Sequence, residues 1–382
     1  MDAGTFTPAA PGRLTRTAAG NPAFVPSPAP RHLELSSAAV GLLDEASNAL
    51  GVLAGVARRL PNPNLLIAPY LRREAVLSSS IEGTQTTLSD VYAAEAEQLS
   101  LVSAPDVEEV QNYVAAYGYG LDRLTTLPLS LGFIRELHER LMRGVRGGGG
   151  QPGEFRTYQN FIGGSSEPDA RYVPPPPNEL TACLDDFERF LHERSLRPLV
   201  QMAVLHYQFE AIHHFGDGNG RVGRLLMGIF LAERELLPHP LLYLSAYFER
   251  TRSAYYDGLM RVSTHGDWDG WLRYVLEGVR VQAMDAAVLA DHLLGLHSEY
   301  RQLLQSRRAT ANAFALVDEF FVNPVVTTSR ARDILGVTAP TARSTIRTLE
   351  QLGILVEITN RRWGRVYRAE EIFLAIRGEE AP

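Results

Sequence analysis

The sequence predicts a mostly α-helical protein with one small β-hairpin flap and a C-terminal unit of its own. Three observations predict this. Apolar residues recur at helical spacing through most of residues 39–308. Extended runs are short and confined to the region around 154–174 and the stretch after 353. The punctuation suits helices, with Pro198 at a first helical position and Gly83 and Gly353 just past the ends of periodic runs.

In order along the chain, residues 1–36 are rich in Pro, Ala and Thr and include Pro26-Ser27-Pro28-Ala29-Pro30. They read as an extended or disordered arm. A helical region follows over 37–104. It holds an Ala-rich helix over 39–60, a break at Pro61 and Pro63, and a second helix from about Leu65 to Glu82. A central domain spans 105–308 and opens with helices over about 105–124 and 129–143. Gly147 to Gly150 is a glycine run, and Asn178 is the expected cap of a helix reaching Glu193. Between them, 154–164 and 171–174 form two short extended runs around polar residues, a hairpin pattern. Helices then dominate to about Arg308. The last domain, 311–382, holds a short helix over 329–335, a turn through Pro340, a helix over 341–352, and strands over 354–358 and 365–367. That order resembles a winged helix-turn-helix.

Composition narrows the class. With 382 residues, 45% hydrophobic and 21% charged, the chain has room for about two or three ordinary globular domains. The net charge of −7 excludes a basic field over the whole molecule. All 37 basic residues are Arg, and Cys183 is the only cysteine, so no intrachain disulfide can form. No secretory leader is recognisable, and no apolar run reaches the roughly 18 residues of a membrane span. The expectation is a cytoplasmic enzyme with no membrane partner.

The most informative stretch is 213–224, His-His-Phe-Gly-Asp-Gly-Asn-Gly-Arg-Val-Gly-Arg. It lies between two apolar helical runs, one from Pro198 to Ile212 and one through Leu225, Leu226, Ile229, Phe230 and Leu231. The Gly-Asn-Gly turn therefore falls at a helix N-terminus, where backbone N–H groups and the helix dipole favour an anion. Arg221 and Arg224 share a helix face. Asp217 offers a hard oxygen ligand of the kind magnesium prefers. His213 can take a proton near neutral pH. A second reading is a metal site, because His206, Glu210 and His213 fall on one helical face near His214 and Asp217. No His-Glu-x-x-His signature accompanies it.

This stretch resembles the signature of the Fic family, His-x-Phe-x-(Asp/Glu)-Gly-Asn-Gly-Arg-x-x-Arg, through His213, Phe215, Asp217, Gly218, Asn219, Gly220, Arg221 and Arg224. The departure is His214, where most members carry Pro. The resemblance implies a Fic-type helical core and transfer of AMP from ATP to a Tyr, Thr or Ser hydroxyl of a protein, the chain itself included. It implies His213 as the base and Asp217 as the magnesium ligand. It also implies that Gly218, Asn219 and Gly220 cradle the phosphates, with Arg221 and Arg224 neutralising them.

Ser78-Ser79-Ser80-Ile81-Glu82-Gly83 resembles the inhibitory motif of the same family, (Ser/Thr)-x-x-x-Glu-(Gly/Asn). A Glu at a helix C-terminus opposes the dipole, and an arginine would relieve it. The resemblance names Arg224 as the partner of Glu82, one helical turn from Ser78. Gln159, Asn160, Phe161 and Ile162 would belong to a flap that aligns the target segment by strand pairing. Thr251 and Tyr255 align with adenine contacts of relatives.

In the tail, Arg343 and Arg347 lie one turn apart, and Arg361, Arg362 and Arg365 stud the wing, a surface suited to phosphate contacts or to dimerisation. The expected partners are ATP, a protein substrate, DNA through 311–382, and a second copy in a homodimer. Three activities stay open: an autoinhibited adenylyltransferase, a DNA-binding regulator with a nucleotide-sensing core, and transfer of another phosphate-containing group. The intact Gly-Asn-Gly-Arg-x-x-Arg set favours the first, because the related Doc kinases alter this segment.

Overall fold

The computed structural model describes residues 1–58, 64–97, 105–145, 151–237 and 239–378. The Pro61 and Pro63 break and the glycine run at 147–150 lie outside the described residues. The chain is mostly helical, with a two-stranded and a three-stranded antiparallel sheet among the described residues.

Residues 1–36 are ordered, contrary to the arm read from composition. Strands β1 (Gly12–Arg16) and β2 (Pro22–Pro26) pair antiparallel, Gly12 opposite Pro26 and Arg16 opposite Pro22. The proline content hid the apolar run that drives this. Ala23, Phe24 and Val25 are buried, and the Phe24 ring packs 5.1 Å from Phe6 and 6.2 Å from Tyr172. Burial of such a side chain stabilises by about 1.5–3 kcal/mol.

Helices α1 (Ser37–Arg58), α2 (Asn64–Ile81), α3 (Leu88–Glu97) and α4 (Pro105–Leu124) follow. By length and composition α1 could cross a membrane. Here its face of Ala39, Leu43, Ala46, Leu50 and Leu53 is buried against a much longer helix nearer the C-terminus. α5 (Leu131–Leu141) is capped by Ser130, whose hydroxyl accepts the Phe133 N–H at 3.1 Å. α6 (Pro177–His192) starts on proline, and Asn178 sits inside its first turn rather than at the cap.

α7 (Pro198–Ile212) is buried on nearly every side, the signature of a central helix. α8 (Asn219–Glu233) packs against it. Loop 213–218 is thereby trapped between two core helices, which fixes the ends of both. Short α9 (Ser245–Arg250) and α10 (Arg252–His265) lead into α11 (Trp268–Ser306), a 39-residue helix along which α1 lies.

The C-terminal unit contains α12 (Ala311–Phe320), β3 (Val325–Thr327), α13 (Thr328–Leu335), α14 (Ala339–Gln351), β4 (Val356–Glu357), β5 (Val366–Arg368) and α15 (Glu370–Arg377). Its sheet order is β3-β5-β4. β3 and α15 were not anticipated. β3 is only three residues long, and α15 forms because Ile372, Phe373 and Ile376 bury one face. The unit is tied to the rest of the chain. Tyr300 Oη donates to Glu371 at 2.7 Å, Asn323 donates to Glu95 at 3.2 Å, and Phe373 packs edge-on to Tyr92.

Candidate active site

The site forms where α7 ends and α8 begins. His213 closes α7 in the left-handed region at φ 55°, an unusual conformation for a side chain with a Cβ. Its N–H still donates to Phe209 O at 3.1 Å. Gly218 then turns at φ 73° ahead of Asn219. No side chain caps α8, so its first N–H groups are left for an anion.

Several buried side chains lock this loop, and the motif alone did not reveal them. Arg156 donates from Nε to His213 O at 2.8 Å and from Nη2 to Ile212 O at 3.2 Å, while its N–H donates to His214 O at 3.1 Å. Asn160 donates to Phe215 O at 3.0 Å. His138 accepts the Gly153 N–H on Nδ1 at 2.8 Å, so its Nε2 carries the proton and donates to Asp217 O at 3.1 Å. The same ring stacks on Phe215 at 3.8 Å. The available signal was the sequence neighbourhood: Arg156 and Asn160 sit in the flap segment.

Asn219 has a different task from the one its motif position implied. Its Oδ1 accepts the Phe215 N–H at 2.9 Å and its Nδ2 donates to Phe215 O at 2.8 Å. Both ends of the amide are spent on the loop's own backbone, so an anion at this turn would meet backbone N–H groups rather than Asn219. Asp217 Oδ1 accepts the Gly218 N–H at 2.6 Å, which leaves Oδ2 the freer oxygen. Its side chain is 45% exposed, open enough to reach a cation.

The two arginines are held by carboxylates. Glu82 Oε1 lies 2.7 Å from Arg224 Nη2, and Glu82 Oε2 lies 3.0 Å from Arg221 Nε. Ser78 accepts from Arg224 twice, through Oγ at 2.8 Å and through its carbonyl at 2.9 Å. Glu109, on α4, lies 3.3 Å from Arg221 Nη1 and takes the Thr84 hydroxyl at 2.9 Å. Burial would raise the Glu82 carboxyl, but Arg224 and Arg221 outweigh it and hold it below the usual carboxylate range. A Cβ added to Gly220 would collide with the Glu82 carboxylate, so the end of α2 sits directly on the anion-binding turn.

A cavity of about 650 Å³ opens between these elements and reaches His213, Asp217, Glu82 and Arg224. The flap also lines it, through Phe161 and Ile162. The flap is less regular than a hairpin: one bridge, Ile162 to Tyr172, is its only strand pairing among the described residues. Gln159 does not face the cavity. It donates to Asn160 O at 3.0 Å and to Pro174 O at 3.1 Å.

Two expectations need correction. Thr251 turns away from the cavity, donating to Tyr247 O at 2.6 Å and meeting Tyr274 Oη at 2.7 Å. It joins α9 to α10, while Arg252, Tyr256, Leu259 and Met260 line the cavity instead. Tyr255 does reach the cavity wall but is 1% exposed, with Oη held 2.8 Å from His206 Nε2. His206 Nε2 is thus occupied by Tyr255, and no cluster of three metal-ligating side chains forms among the described residues.

The paired histidines separate completely. Burial, with Arg156 nearby, lowers His213 to about 4, so its imidazole is neutral around pH 7 and able to accept a proton. His214 is fully buried, with rings of Phe209 at 4.3 Å and Phe187 at 4.9 Å. Neither of its ring nitrogens has a partner among the described residues.

A helical protein with a half-buried histidine on the cavity, an uncapped helix N-terminus and two clamped arginines has the frame of a nucleotide-phosphate site. Comparison with known proteins finds matches to two stretches of the chain. Residues 128–231 match the Fic/DOC family, and 40–122 match the Fic/DOC family N-terminal region. The chain thus carries a Fic/DOC family segment and, ahead of it, a Fic/DOC family N-terminal segment.

Among curated relatives, Protein adenylyltransferase Fic of Drosophila virilis is 30% identical over 210 residues, covering 52% of this chain and 39% of the relative. The Drosophila persimilis protein of the same name is 34% identical over 154 residues, covering 40% and 27%. The chain thus spans well under half the length of either. In fold, a Fic family protein from Desulfovibrio desulfuricans aligns with TM-score 0.57 and 21% identity over 88% of this chain and 97% of that one. Fic-1 from C. elegans aligns with TM-score 0.50 and 21% identity over 65% and 71%.

Proposed function

We propose that this chain is a protein adenylyltransferase that moves AMP from ATP to a Tyr, Thr or Ser hydroxyl of a protein, and that Glu82 holds it inhibited. The observation that carries this is the placement of Glu82 across Arg221 and Arg224 beside the free N-terminus of α8. A carboxylate bridging two buried arginines marks a place built for a larger anion.

With Glu82 withdrawn, the two guanidiniums face the phosphates and the backbone N–H groups of α8 hold the anion. The acceptor hydroxyl attacks the α-phosphorus, its proton passes to His213, and the bond to pyrophosphate breaks. Positioning and charge stabilisation supply most of the rate in such a reaction. Asp217 Oδ2 suits a magnesium ion, which would add charge neutralisation at the phosphates.

ATP and a protein acceptor are the partners of this reading, with a homodimer as the assembly and the cytoplasm, where ATP is abundant, as the setting. The experiment is incubation with ATP labelled at the α- or γ-phosphate. AMP transfer leaves only the α-label on protein; γ-label on protein overturns the assignment in favour of phosphate transfer.

A second reading adds DNA through 311–382, taken as a winged helix-turn-helix. Arg343, Arg347, Arg361, Arg362 and Arg365 are exposed and form no ion pair among the described residues, which supports it.

A further inference from the structure

The flap is held from two sides by different parts of the chain. Its inner side is bound to the motif loop through Arg156 and Asn160. Its outer side is bound to the N-terminal hairpin. Thr17 Oγ1 and Asn21 Nδ2 both donate to Glu167 Oε1, the latter at 3.0 Å. The Phe24 N–H donates to Val173 O at 2.9 Å, and the Phe24 ring packs on Tyr172, the residue bridged to Ile162. Between these anchors, loop 163–169 is tight. Gly163 and Gly164 take φ 65° and 102°, and a Cβ at Gly164 would meet Asp169 O at 2.5 Å.

Residues 1–36 contribute nothing to the cavity wall. The hairpin therefore cannot act on the nucleotide directly, yet it spans some 150 residues of sequence to grip the flap loop. We propose that the N-terminal hairpin braces the flap for its macromolecular substrate. Glu167 is the positioning residue that sets how an extended segment of the acceptor protein is presented. This rests on the adenylyl-transfer reading. The inner anchor governs the motif loop and hence ATP use; the outer anchor governs the acceptor edge, where Phe161 is exposed. The two therefore separate kinetically.

The test uses full-length chain carrying Glu82→Gly, α-labelled ATP, and as acceptor a second full-length copy inactivated by His213→Ala. In this background Glu167→Ala raises the half-saturating acceptor concentration roughly tenfold, the scale of two lost part-buried hydrogen bonds of ordinary net strength. The half-saturating ATP concentration and the rate at saturating acceptor stay unchanged. Glu167→Gln keeps the accepting oxygen and restores the parent value. Should Glu167→Ala fail to fold, Asn21→Ala removes one of the two bonds and gives a smaller rise, about threefold. Amide exchange at Ile162 and Tyr172 quickens in the weakened variants but not in α7.

An unchanged acceptor dependence, a Gln variant as impaired as the Ala variant, or equal rises for ATP and acceptor would overturn the proposal. So would a parent that labels only itself regardless of the second copy. A parent that places no α-label on any protein overturns the transfer reading itself, a result distinct from labelled parents and indifferent variants.

Discussion

Arg221 and Arg224 at the motif, and Arg343 and Arg347 on α14, are paired alike in sequence, each pair a turn apart on one helix, yet their situations are opposite. The first pair is buried and saturated: Arg224 meets Glu82 and Ser78, and Arg221 meets Glu82 and Glu109. The second pair is exposed and in no ion pair among the described residues. A buried guanidinium must be paired, so its partners report what the site was built to hold. An exposed one need not be, and its meaning rests on a partner outside the chain. Large effects of substitution should therefore cluster at the motif and small, salt-dependent ones at the tail.

The sharpest form of that contrast is at His213. We expect His213→Ala to lower α-label transfer by about a hundredfold to ten-thousandfold, the range for loss of a general base. His214→Ala should retain most of the activity, because His214 points into the phenyl rings of Phe187 and Phe209. Single-turnover labelling of both variants checks this. A reversed ranking would show that the working loop differs from the one described.

Next in size is Glu82→Gly. Removing the carboxylate frees both arginines, and transfer under magnesium-ATP should rise by on the order of tenfold or more, the scale of two charge-assisted hydrogen bonds. Mild acid should not mimic it. A carboxyl held below its ordinary range contributes its stabilisation above that range and loses it only as pH falls through the depressed value. The pairing of Glu82 with the two arginines therefore persists across neutral pH. Equal labelling by variant and parent would remove the inhibitory assignment.

The buried histidines give a stability effect of intermediate size. Burial lowers His138 and His213 to about 4 and His206 and His214 to about 3, from 6.5. The unfolded chain then binds more protons than the folded one between these values and 6.5, so stability falls as pH drops through that window. Glu210, raised to about 7 by burial, acts in the opposite direction but is outnumbered. Melting temperature should decline steadily below about pH 6.5. His214→Phe should flatten the decline, since it removes one of the four and an unpaired buried ring; an unaltered pH profile would assign the acid sensitivity elsewhere.

How much of this was legible follows from what each residue's role depends on. Helices α4 and α7 were readable because periodicity and proline positions are local signals. The motif residues were readable because their spacing is itself the signal. Thr251 was misplaced because its backbone position, between α9 and α10, aims the hydroxyl at Tyr247 O rather than at the cavity. Asn219 sits in the right place with a different task, which only the distances to Phe215 reveal. Arg156, Glu109 and His138 were invisible because their partners lie 57, 112 and 79 residues away. The arm was misread because composition reports proline, whereas its order comes from Phe24 meeting Tyr172 across the fold.

The smallest effect is expected at the tail, and it tests the other half of the comparison. If α14 and the β4–β5 loop meet DNA, binding by the full chain should weaken steeply with salt, because each neutralised phosphate releases a condensed counterion. Arg343→Glu with Arg347→Glu should lower affinity at fixed salt and flatten the log–log salt slope by about one per lost phosphate contact. The two side chains lie on α14, far in sequence from the cavity wall, so α-label transfer should be unchanged in the same preparation. Trp363, 78% exposed between β4 and β5, offers an intrinsic fluorescence signal for the titration. If no DNA binds even at low ionic strength, the arginines serve another surface, and the tail's role shifts to contacts with protein. If transfer falls along with binding, the two regions are coupled, and the division between buried, partnered arginines and exposed ones is not a division of labour.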